Sequence, residues 1–365
     1  MISSKFWSGK KVFITGHSGF KGTWLIHWLN ILNANTVGFS KDISDEQETF
    51  FASCSDLVGT SYHGDVCDAD HLQDCLQRSE PDIIFHLAAQ PIVQKSFIEP
   101  VKTFATNCMG TVNLLEGVRQ APSVRAVVIV TSDKVYQNEE GGVAFCEEDR
   151  LGGDDPYSAS KACAEILTDS FVQSFFSESN RVGNYAGIAT ARAGNVIGGG
   201  DWGENRLVPD LARAMKSGET VQIRSPGATR PWQFVLDILS GYLSLSEKLY
   251  SHGKAFNGPW NFGPNSDTHS QVADVVARFC QGTKIKYSFD GGDQFFLEKK
   301  YLSLDSKKAK KNLGWQNTST FEQSIDMARY WYENFYEGKE ARALCVEQIN
   351  SFQNGKKSLK ETNKI

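Results

Sequence analysis

The feature that most constrains the fold is a glycine-rich turn near the N-terminus, in the segment VFITGHSGFKG. It follows a β-branched run, opens a helical stretch, and places glycines at Gly16, Gly19 and Gly22. One glycine permits a tight turn, another lets backbone approach a pyrophosphate, and the third lets a helix pack on a strand. The helix start then offers backbone N–H groups to an anion. This placement predicts a dinucleotide site, and a plain turn is the alternative.

Short β-branched runs alternate with longer helical stretches through the first half of the chain. This pattern is typical of βαβ units around a buried parallel sheet, because each helix is long enough to cross back over a sheet face. We therefore predict an α/β fold with a doubly wound parallel (Rossmann) sheet. The predicted strands are 11–15, 36–40, 83–87, 126–131 and 188–192, and the predicted helices are about 20–32, 68–78, 103–120 and 156–178.

The local composition of the sequence changes after about residue 192. Loops rich in Gly, Pro and Asn, such as GNVIGGGDW and NGPWNFGPNSD, separate the later helical stretches. We predict a dinucleotide-binding domain over 1–192 and a smaller α/β substrate-binding region over 193–350 that is partly interleaved with the sheet. Residues 351–365 are polar and lysine-rich, which predicts a tail.

Composition excludes several classes of protein. The 365 residues are 40% hydrophobic, enough for a substantial core, and the net charge of -5 does not suggest a nucleic-acid surface or an anionic-membrane patch. The eight cysteines form no CxxC pair, so we expect reduced thiols and no metal. The sequence shows neither a signal peptide nor a membrane span, so we expect no membrane partner and a cytoplasmic location.

Two acidic residues follow the glycine turn at the spacing of ribose and adenine contacts. Asp42 lies 20 residues beyond Gly22, where a carboxylate can bind ribose hydroxyls and favour NAD over NADP. Lys41 beside it can instead accept a 2′-phosphate. Asp65 can accept a hydrogen bond from the adenine amino group, or it can cap the helix that follows.

Tyr157 and Lys161, in DPYSASKACAE, are a second group of candidate functional residues. They are four residues apart just after Pro156, a residue suited to the first helical turn, so they share one helix face. A lysine ammonium there can lower the tyrosine pKa. The phenol can then take a proton from a substrate hydroxyl while the carbon gives up hydride to a nicotinamide. A solvated pair on a helix is the alternative interpretation.

Six motifs occur in the order found in one large family: GHSGFKG, HLAAQP, TNCMGTVNLLE, TSDKVY, PYSASK and RAGNVIGGGDW. On these motifs the chain resembles the extended short-chain dehydrogenases/reductases over about residues 8–340. Its Ser132-Asp133-Lys134 stands where the related dTDP-glucose dehydratases have Thr-Asp-Glu. Phe20-Lys21, RAGNVIGGGDW and RPWQFVLDILSGYL are similar to the dehydratases that act on CDP-glucose. The resemblance implies a 4,6-dehydratase of deoxysugar and lipopolysaccharide O-antigen synthesis.

The resemblance also implies roles for the Ser-Asp-Lys segment. A dehydratase needs an acid for the departing hydroxyl and a base for the C5 proton, in addition to the tyrosine and the lysine. We expect Asp133 to be the acid if burial raises its pKa, and Lys134 to be the base if Lys161 and desolvation lower its pKa. Ser132 would hold the C4 oxygen together with Tyr157. A turn with a solvated charge pair is the alternative.

Further ligand contacts are implied by the resemblance alone, together with a homodimer joined through the helices near 103–120 and 156–178. The alternatives are a dehydratase or epimerase for another nucleotide sugar, such as GDP-mannose or a UDP-sugar, and a catalytically silent NAD-sensing protein. The expected NAD contacts are Gly16, Gly19, Phe20, Lys21, Gly22, Asp42, Asp65, Val66, Leu87, Ala88, Ala89, Tyr157 and Lys161, and the expected sugar-nucleotide contacts are Gln90, Ser96, Asn195, Arg206 and Arg230.

Overall fold

The structure, a computed structural model, describes residues 2–176, 186–264, 270–289 and 299–362, with side chains described up to residue 355. Residues 177–178 of one predicted helix and 363–365 of the predicted tail lie outside the described residues. The strands are β1 Lys11–Thr15, β2 Asn35–Ser40, β3 Thr60–His63, β4 Ile83–His86, β5 Ala126–Val130, β6 Gly187–Ala193, β7 Val196–Ile197, β8 Thr220–Gln222, β9 Thr229–Arg230, β10 Gln233–Phe234, β11 Gly258–Phe262, β12 Ser270–Gln271 and β13 Lys286–Ser288. The helices are α1 Ser4–Trp7, α2 Phe20–Ile31, α3 Asp45–Ala52, α4 Ala69–Ser79, α5 Val93–Ile98, α6 Pro100–Phe104, α7 Gly110–Arg119, α8 Pro156–Phe175, α9 Leu207–Ser217, α10 Val235–His252, α11 Val272–Cys280, α12 Lys307–Leu313, α13 Phe321–Tyr336 and α14 Ala341–Thr362.

A seven-stranded sheet in the order β11-β6-β5-β4-β1-β2-β3 forms the centre of the molecule. Each neighbouring pair in it runs parallel. The strand order reverses between β1 and β4, and such sheets bind ligands in the crevice beyond the carboxyl ends of the strands at that point. The predicted α/β doubly wound sheet is confirmed.

Both faces of the sheet are buried, which explains the continuous apolar runs in its strands. In β5, Val128 and Val130 face one hydrophobic core, whereas Val127 and Ile129 face the other. Helices α2 and α10 cover the first face, and α4, α7 and α8 cover the second. The carboxyl ends of the strands remain open between these two layers.

Two strands of the central sheet have no counterpart among the predicted elements. β3 has the sequence TSYH, and its mostly exposed side chains leave no hydrophobic pattern. β11 has the sequence GPWNF, whose glycine and proline indicated a loop. Because β11 pairs with β6, a strand from beyond residue 192 completes the sheet. The division of the chain at residue 192 remains a prediction.

Two helical regions also differ from expectation. The helix expected over 103–120 is α6 and α7 joined by a π-helical segment, Ala105–Met109. Residues 351–362, expected as a tail, continue α14, with Phe352 packed edge-on against Trp28. In the part of the chain that the structure describes, no helix is long and apolar enough to cross a membrane.

Candidate active site

A cavity of about 770 Å³ opens at the carboxyl ends of β1, β4, β5 and β6. It is lined by every site residue expected from the sequence except Gln90 and Ser96. The opposite wall of the cavity is formed by residues just before and within α9 and by residues at the end of β8. The fold thus brings the glycine turn, the Ser-Asp-Lys segment and the Tyr-Lys pair into one space.

The glycine turn forms a cradle that only glycine fits. Gly16 has φ +70, and a Cβ there would lie 2.7 Å from the backbone nitrogen of Ala88. A Cβ on Gly22 would lie 2.4 Å from the Gly16 carbonyl oxygen. Gly19 precedes α2 and offers no side-chain cap, so the N–H groups of the first turn remain available to a ligand. This cradle fits a dinucleotide pyrophosphate.

Replacing Gly22 with alanine is expected to force α2 away from β1, because backbone atoms surround the added methyl group. Overpacking of this kind costs about 1–3 kcal/mol, and the shift of α2 should also weaken dinucleotide binding. Thermal unfolding and calorimetric titration with NAD measure the two effects. Gly141→Ala is the matched control because nothing lies within 4 Å of its added Cβ. Equal stability and NAD affinity in both variants would contradict the cradle.

The acidic residues beyond β2 and β3 are arranged in two exposed pairs. The Asp42 carboxylate lies 2.9 Å from His63 Nε2, and Lys41 Nζ lies 3.1 Å from Asp65 Oδ2. Asp65 also accepts a hydrogen bond from the Cys67 backbone N–H at 3.0 Å. Although burial opposes it, these hydrogen bonds lower the pKa of Asp65. The alternative prediction, that Asp65 caps the helix that follows, is wrong, because the N-cap of α4 is Asp68.

Tyr157 and Lys161 lie in the first turns of α8, as the sequence predicts. Asp155 caps this helix and Pro156 is its first residue. The Lys161 ammonium donates to the carbonyl oxygen of Val130 at 3.0 Å. Burial lowers the pKa of Lys161 to about 8, against the attraction of the Glu165 carboxylate.

The expected lowering of the tyrosine pKa is not found in the protein alone. Burial raises the pKa of Tyr157 to about 12, and the Asp133 carboxylate adds to this rise. A hydrogen bond with Ser132 and the charge of Arg206 act in the opposite direction. The physical reason for the difference is burial, which has the largest influence on the Tyr157 pKa.

The Ser-Asp-Lys segment forms a short 3-10 turn directly after β5. The Ser132 hydroxyl accepts from the Lys134 N–H at 3.2 Å and donates to Asp133 Oδ1 at 3.1 Å. Asp133 is buried, and its Oδ2 has no hydrogen-bond partner among the described residues. Burial raises the pKa of Asp133, which confirms the expected direction. Lys134 is half-buried and lines the cavity.

Lys21, Lys161 and Arg206 are three of the cationic side chains that line the cavity, and their charges act on one another. Lys21 reaches in from the first turn of α2, with its ammonium 6.0 Å from the centre of the Tyr242 ring. Burial, and then the charges of Arg206 and Lys161, lower its pKa to about 8. Because these three cations repel one another, the cavity favours an anionic ligand.

The residues expected to contact a diphosphate are fixed by the loops around them. Arg206 Nη1 lies 3.1 and 3.0 Å from the two carboxylate oxygens of Asp201. Arg230 is buried and donates to the carbonyl oxygens of Thr229 and Lys299 at 2.9 and 2.7 Å. Asn195 lines the cavity, and its backbone carbonyl accepts from the Gln233 N–H at 3.0 Å.

Gln90 and Ser96 are not among the residues that line the cavity, and their contact with substrate remains a prediction. The Gln90 amide accepts from the Ile92 N–H at 2.7 Å and donates to Thr103 Oγ1 at 2.9 Å. The Ser96 hydroxyl is buried and donates to the Val93 carbonyl at 2.6 Å. Local hydrogen bonds therefore occupy both side chains. Gln94, two residues before Ser96, lines the cavity instead.

Sequence reasoning missed several lining residues because they follow no motif. Arg224 lies just beyond β8 and donates to the Asn205 carbonyl at 3.2 Å. Thr106 comes from the π-helical segment, and Asp210 from the first turn of α9. Burial raises the pKa of Asp210 to about 6. Only the positions of these elements in the fold reveal such residues.

Comparison with known proteins agrees with this geometry. The family described as GDP-mannose 4,6 dehydratase matches residues 13–328. A CDP-glucose 4,6-dehydratase of Salmonella typhimurium is 39% identical over 355 residues, which cover 96% of this chain and 98% of that protein. A dTDP-glucose 4,6-dehydratase of Xanthomonas campestris is 25% identical, covering 87% of this chain and 92% of that protein.

Solved structures agree on the fold. The dTDP-glucose 4,6-dehydratase of Bacillus anthracis in complex with NAD has a TM-score of 0.73 at 21% identity, covering 90% of this chain and 98% of that one. The UDP-glucose-4-epimerase of Stenotrophomonas maltophila with bound NAD and formylated UDP-arabinopyranose has a TM-score of 0.76 at 18% identity, covering 90% and 100%. With the family match over residues 13–328 and the near full-length relative, the chain belongs to the GDP-mannose 4,6 dehydratase family of extended short-chain dehydrogenases/reductases.

Proposed function

We propose that the protein is an NAD-dependent CDP-glucose 4,6-dehydratase, which converts CDP-glucose to CDP-4-keto-6-deoxyglucose and water in deoxysugar synthesis. The observation that carries this proposal is the buried Asp133, which lines the same cavity as Tyr157 and whose Oδ2 has no hydrogen-bond partner among the residues that the structure describes. An epimerase needs only the Tyr157–Lys161 pair, whereas elimination needs a further acid and base. The Salmonella relative supports the choice of CDP-glucose.

The residues around the glycine turn would hold NAD. Gly16, Gly19 and Gly22 would give the pyrophosphate its backbone cradle, and Asp42, which lines the same cavity, would bind the adenosine ribose. Lys41 is paired with Asp65, which favours NAD over a cofactor with a 2′-phosphate. When bound, the nicotinamide supplies hydride chemistry by accepting hydride from C4 and returning it to C6.

The chain's own side chains would move the protons. Tyr157 acts as the phenolate, the form that the charge of Arg206 favours. It takes the proton of the C4 hydroxyl while C4 loses hydride, with Ser132 holding the oxygen, and C4 becomes a ketone. Lys134 takes the C5 proton that the ketone makes acidic. Asp133 gives its proton to the departing C6 hydroxyl, which leaves as water. When hydride reaches C6, Lys134 returns its proton to C5, and the proton on Tyr157 restores Asp133.

The diphosphate would lie among the cationic side chains that line the cavity. Arg230 has a guanidinium suited to phosphate oxygens, and Arg206 and Lys21 add positive charge nearby. Arg206 and Tyr157 line the same cavity, so a diphosphate bound by Arg206 would bring the hexose towards the catalytic groups.

A substrate panel tests the proposed function. Purified protein is incubated with CDP-, dTDP-, GDP- and UDP-hexoses, and mass spectrometry detects the loss of one water from each. We expect CDP-glucose to be consumed fastest. Turnover of GDP-mannose without turnover of CDP-glucose would overturn the choice of substrate, and epimerisation without loss of mass would overturn the reaction.

The protein would also form a homodimer through the side of the molecule that carries α5 to α8, which includes the helices expected near 103–120 and 156–178. This side carries large apolar residues that are exposed in the single chain, among them Ile98 (79% exposed), Val101 (82% exposed) and Ile166 (57% exposed). Exposed apolar residues grouped on one side of a protein mark an interaction site. Ile166 lies on α8, one of the two helices that the sequence indicates, and Ile98 and Val101 lie just before the other, which is expected over 103–120. A cytoplasmic location remains a prediction.

Replacing Val101 and Ile166 together with glutamate is expected to convert the dimer to a monomer, because two buried charges would face their symmetry mates. Size-exclusion chromatography with light scattering measures the mass. Val143→Glu is the control, since Val143 is 74% exposed and lies outside these helices. A wild-type monomer, or a double variant that stays dimeric, would contradict the interface.

A further inference from the structure

A buried carboxylate lies one helical turn beyond Lys161. Glu165 of α8 accepts hydrogen bonds from Thr131 Oγ1 and Thr190 Oγ1, both at 2.5 Å, and from Arg192 Nη2 at 2.9 Å. Both side chains of the Glu165–Arg192 pair are only 3% exposed. Neither residue lines the cavity. The proton transfers proposed above do not use this pair.

The three donors lie just after β5, where the catalytic turn begins, and in the neighbouring strand β6. Thr131 immediately follows β5 and precedes Ser132, while Thr190 and Arg192 belong to β6. Arg192 Nη1 also donates to the Tyr136 hydroxyl at 2.8 Å, and that hydroxyl donates to Asn261 Oδ1 of β11 at 2.7 Å. One carboxylate thus ties α8 to the ends of two strands, and the network continues to the edge strand of the sheet.

The same carboxylate acts electrostatically on Lys161. Burial lowers the pKa of Lys161, whereas Glu165 on the same helix and Cys108 from the π-helical segment raise it. From α2 and β4, Lys161 also faces Lys21 and His86, whose pKa values its charge helps to lower. Among these neighbours, Glu165 is the carboxylate that favours the ammonium form.

We propose that Glu165 is a positioning residue that fixes α8 against the catalytic turn after β5 and keeps Lys161 in its ammonium form. Thr131 ties the backbone just before Ser132 to the helix that carries Tyr157 and Lys161. The Lys161 ammonium holds the neighbouring Val130 carbonyl at 3.0 Å, so both links act on the end of β5. This inference rests on the proposed function, because Lys161 matters only if the site performs hydride and proton transfer.

The test is the pH dependence of kcat/KM for CDP-glucose. In Glu165→Gln the ammonium of Lys161 loses its neighbouring negative charge, so its pKa should fall. The high-pH limb of the profile should therefore move to lower pH by about one unit, the size of effect that a nearby charge produces. Tyr136→Phe is the matched control. It removes a hydroxyl from the far end of the same network, so it should change stability without moving the limb.

The outcomes separate this inference from the proposed function. Wild-type protein that does not dehydrate CDP-glucose contradicts the proposed function itself. Wild-type activity combined with an unshifted limb in Glu165→Gln contradicts the role of Glu165, even if kcat falls. If Glu165→Gln does not fold, Glu165→Asp replaces it. Aspartate keeps the negative charge on a shorter side chain, so we expect a lower kcat and an unchanged pH for the high-pH limb. A shift of that limb by one pH unit in Glu165→Asp would overturn the proposal.

Discussion

Replacing Tyr157 with phenylalanine is expected to lower kcat for CDP-glucose by about 10²- to 10⁴-fold, the contribution of a positioned acid–base group. The phenol oxygen lies in the cavity together with Ser132 and Asp133, and in our proposal it removes the C4 hydroxyl proton that opens the reaction. Phenylalanine keeps the ring and its packing. Thermal unfolding should therefore change little while turnover is lost.

Steady-state turnover and NAD affinity should be measured together for this variant. Tyr250→Phe is the matched control, because its hydroxyl lies 3.4 Å from Asp82, at the other end of the sheet from the cavity. We expect the control to keep wild-type turnover. A Tyr157→Phe protein with more than a tenth of wild-type kcat would show that another group removes the C4 proton.

Replacing Lys134 with methionine is expected to separate the two halves of the reaction. The rate of elimination should fall by about 10²- to 10⁴-fold because the C5 base is missing. The C4 oxidation depends on Tyr157, Ser132 and Lys161, so it should survive in part. Adding substrate should then produce the near-ultraviolet absorbance of the reduced cofactor without loss of water from the sugar.

Full dehydratase activity in Lys134→Met would show that Lys134 is not the base. Loss of both oxidation and elimination would instead indicate that Lys134 is needed to bind substrate. Lys95→Met is the control, since Lys95 is an exposed lysine of α5 that pairs with Glu99 at 3.9 Å. We expect it to behave as wild type in both assays.

Local patterns predicted the parts of the site that depend on local geometry. The glycine turn is recognisable because Gly16 and Gly22 leave no room for a Cβ, and this requirement is visible as spacing in the sequence. The Tyr157–Lys161 pair is recognisable for the same reason, since four residues make one helical face. Strand β5 is recognisable because both of its faces are buried.

Features that depend on tertiary contacts could not be predicted in this way. Gln90 and Ser96 stand in the expected segment, but their side chains make local hydrogen bonds and are not among the residues that line the cavity. The high pKa of Tyr157 follows from burial, and the Asp133 carboxylate adds to the rise. The Glu165–Arg192 pair joins residues 27 positions apart in the chain, which no short motif records.

The most direct test of the account follows the hydrogen at C4 of the sugar. Purified protein is given CDP-glucose deuterated at C4, and the product is analysed by mass spectrometry and proton NMR. We predict the loss of one unlabelled water and the appearance of the deuterium at C6 of a 4-keto-6-deoxy product. Deuterium released to solvent, or a product that keeps its full mass with deuterium still at C4, would contradict the account.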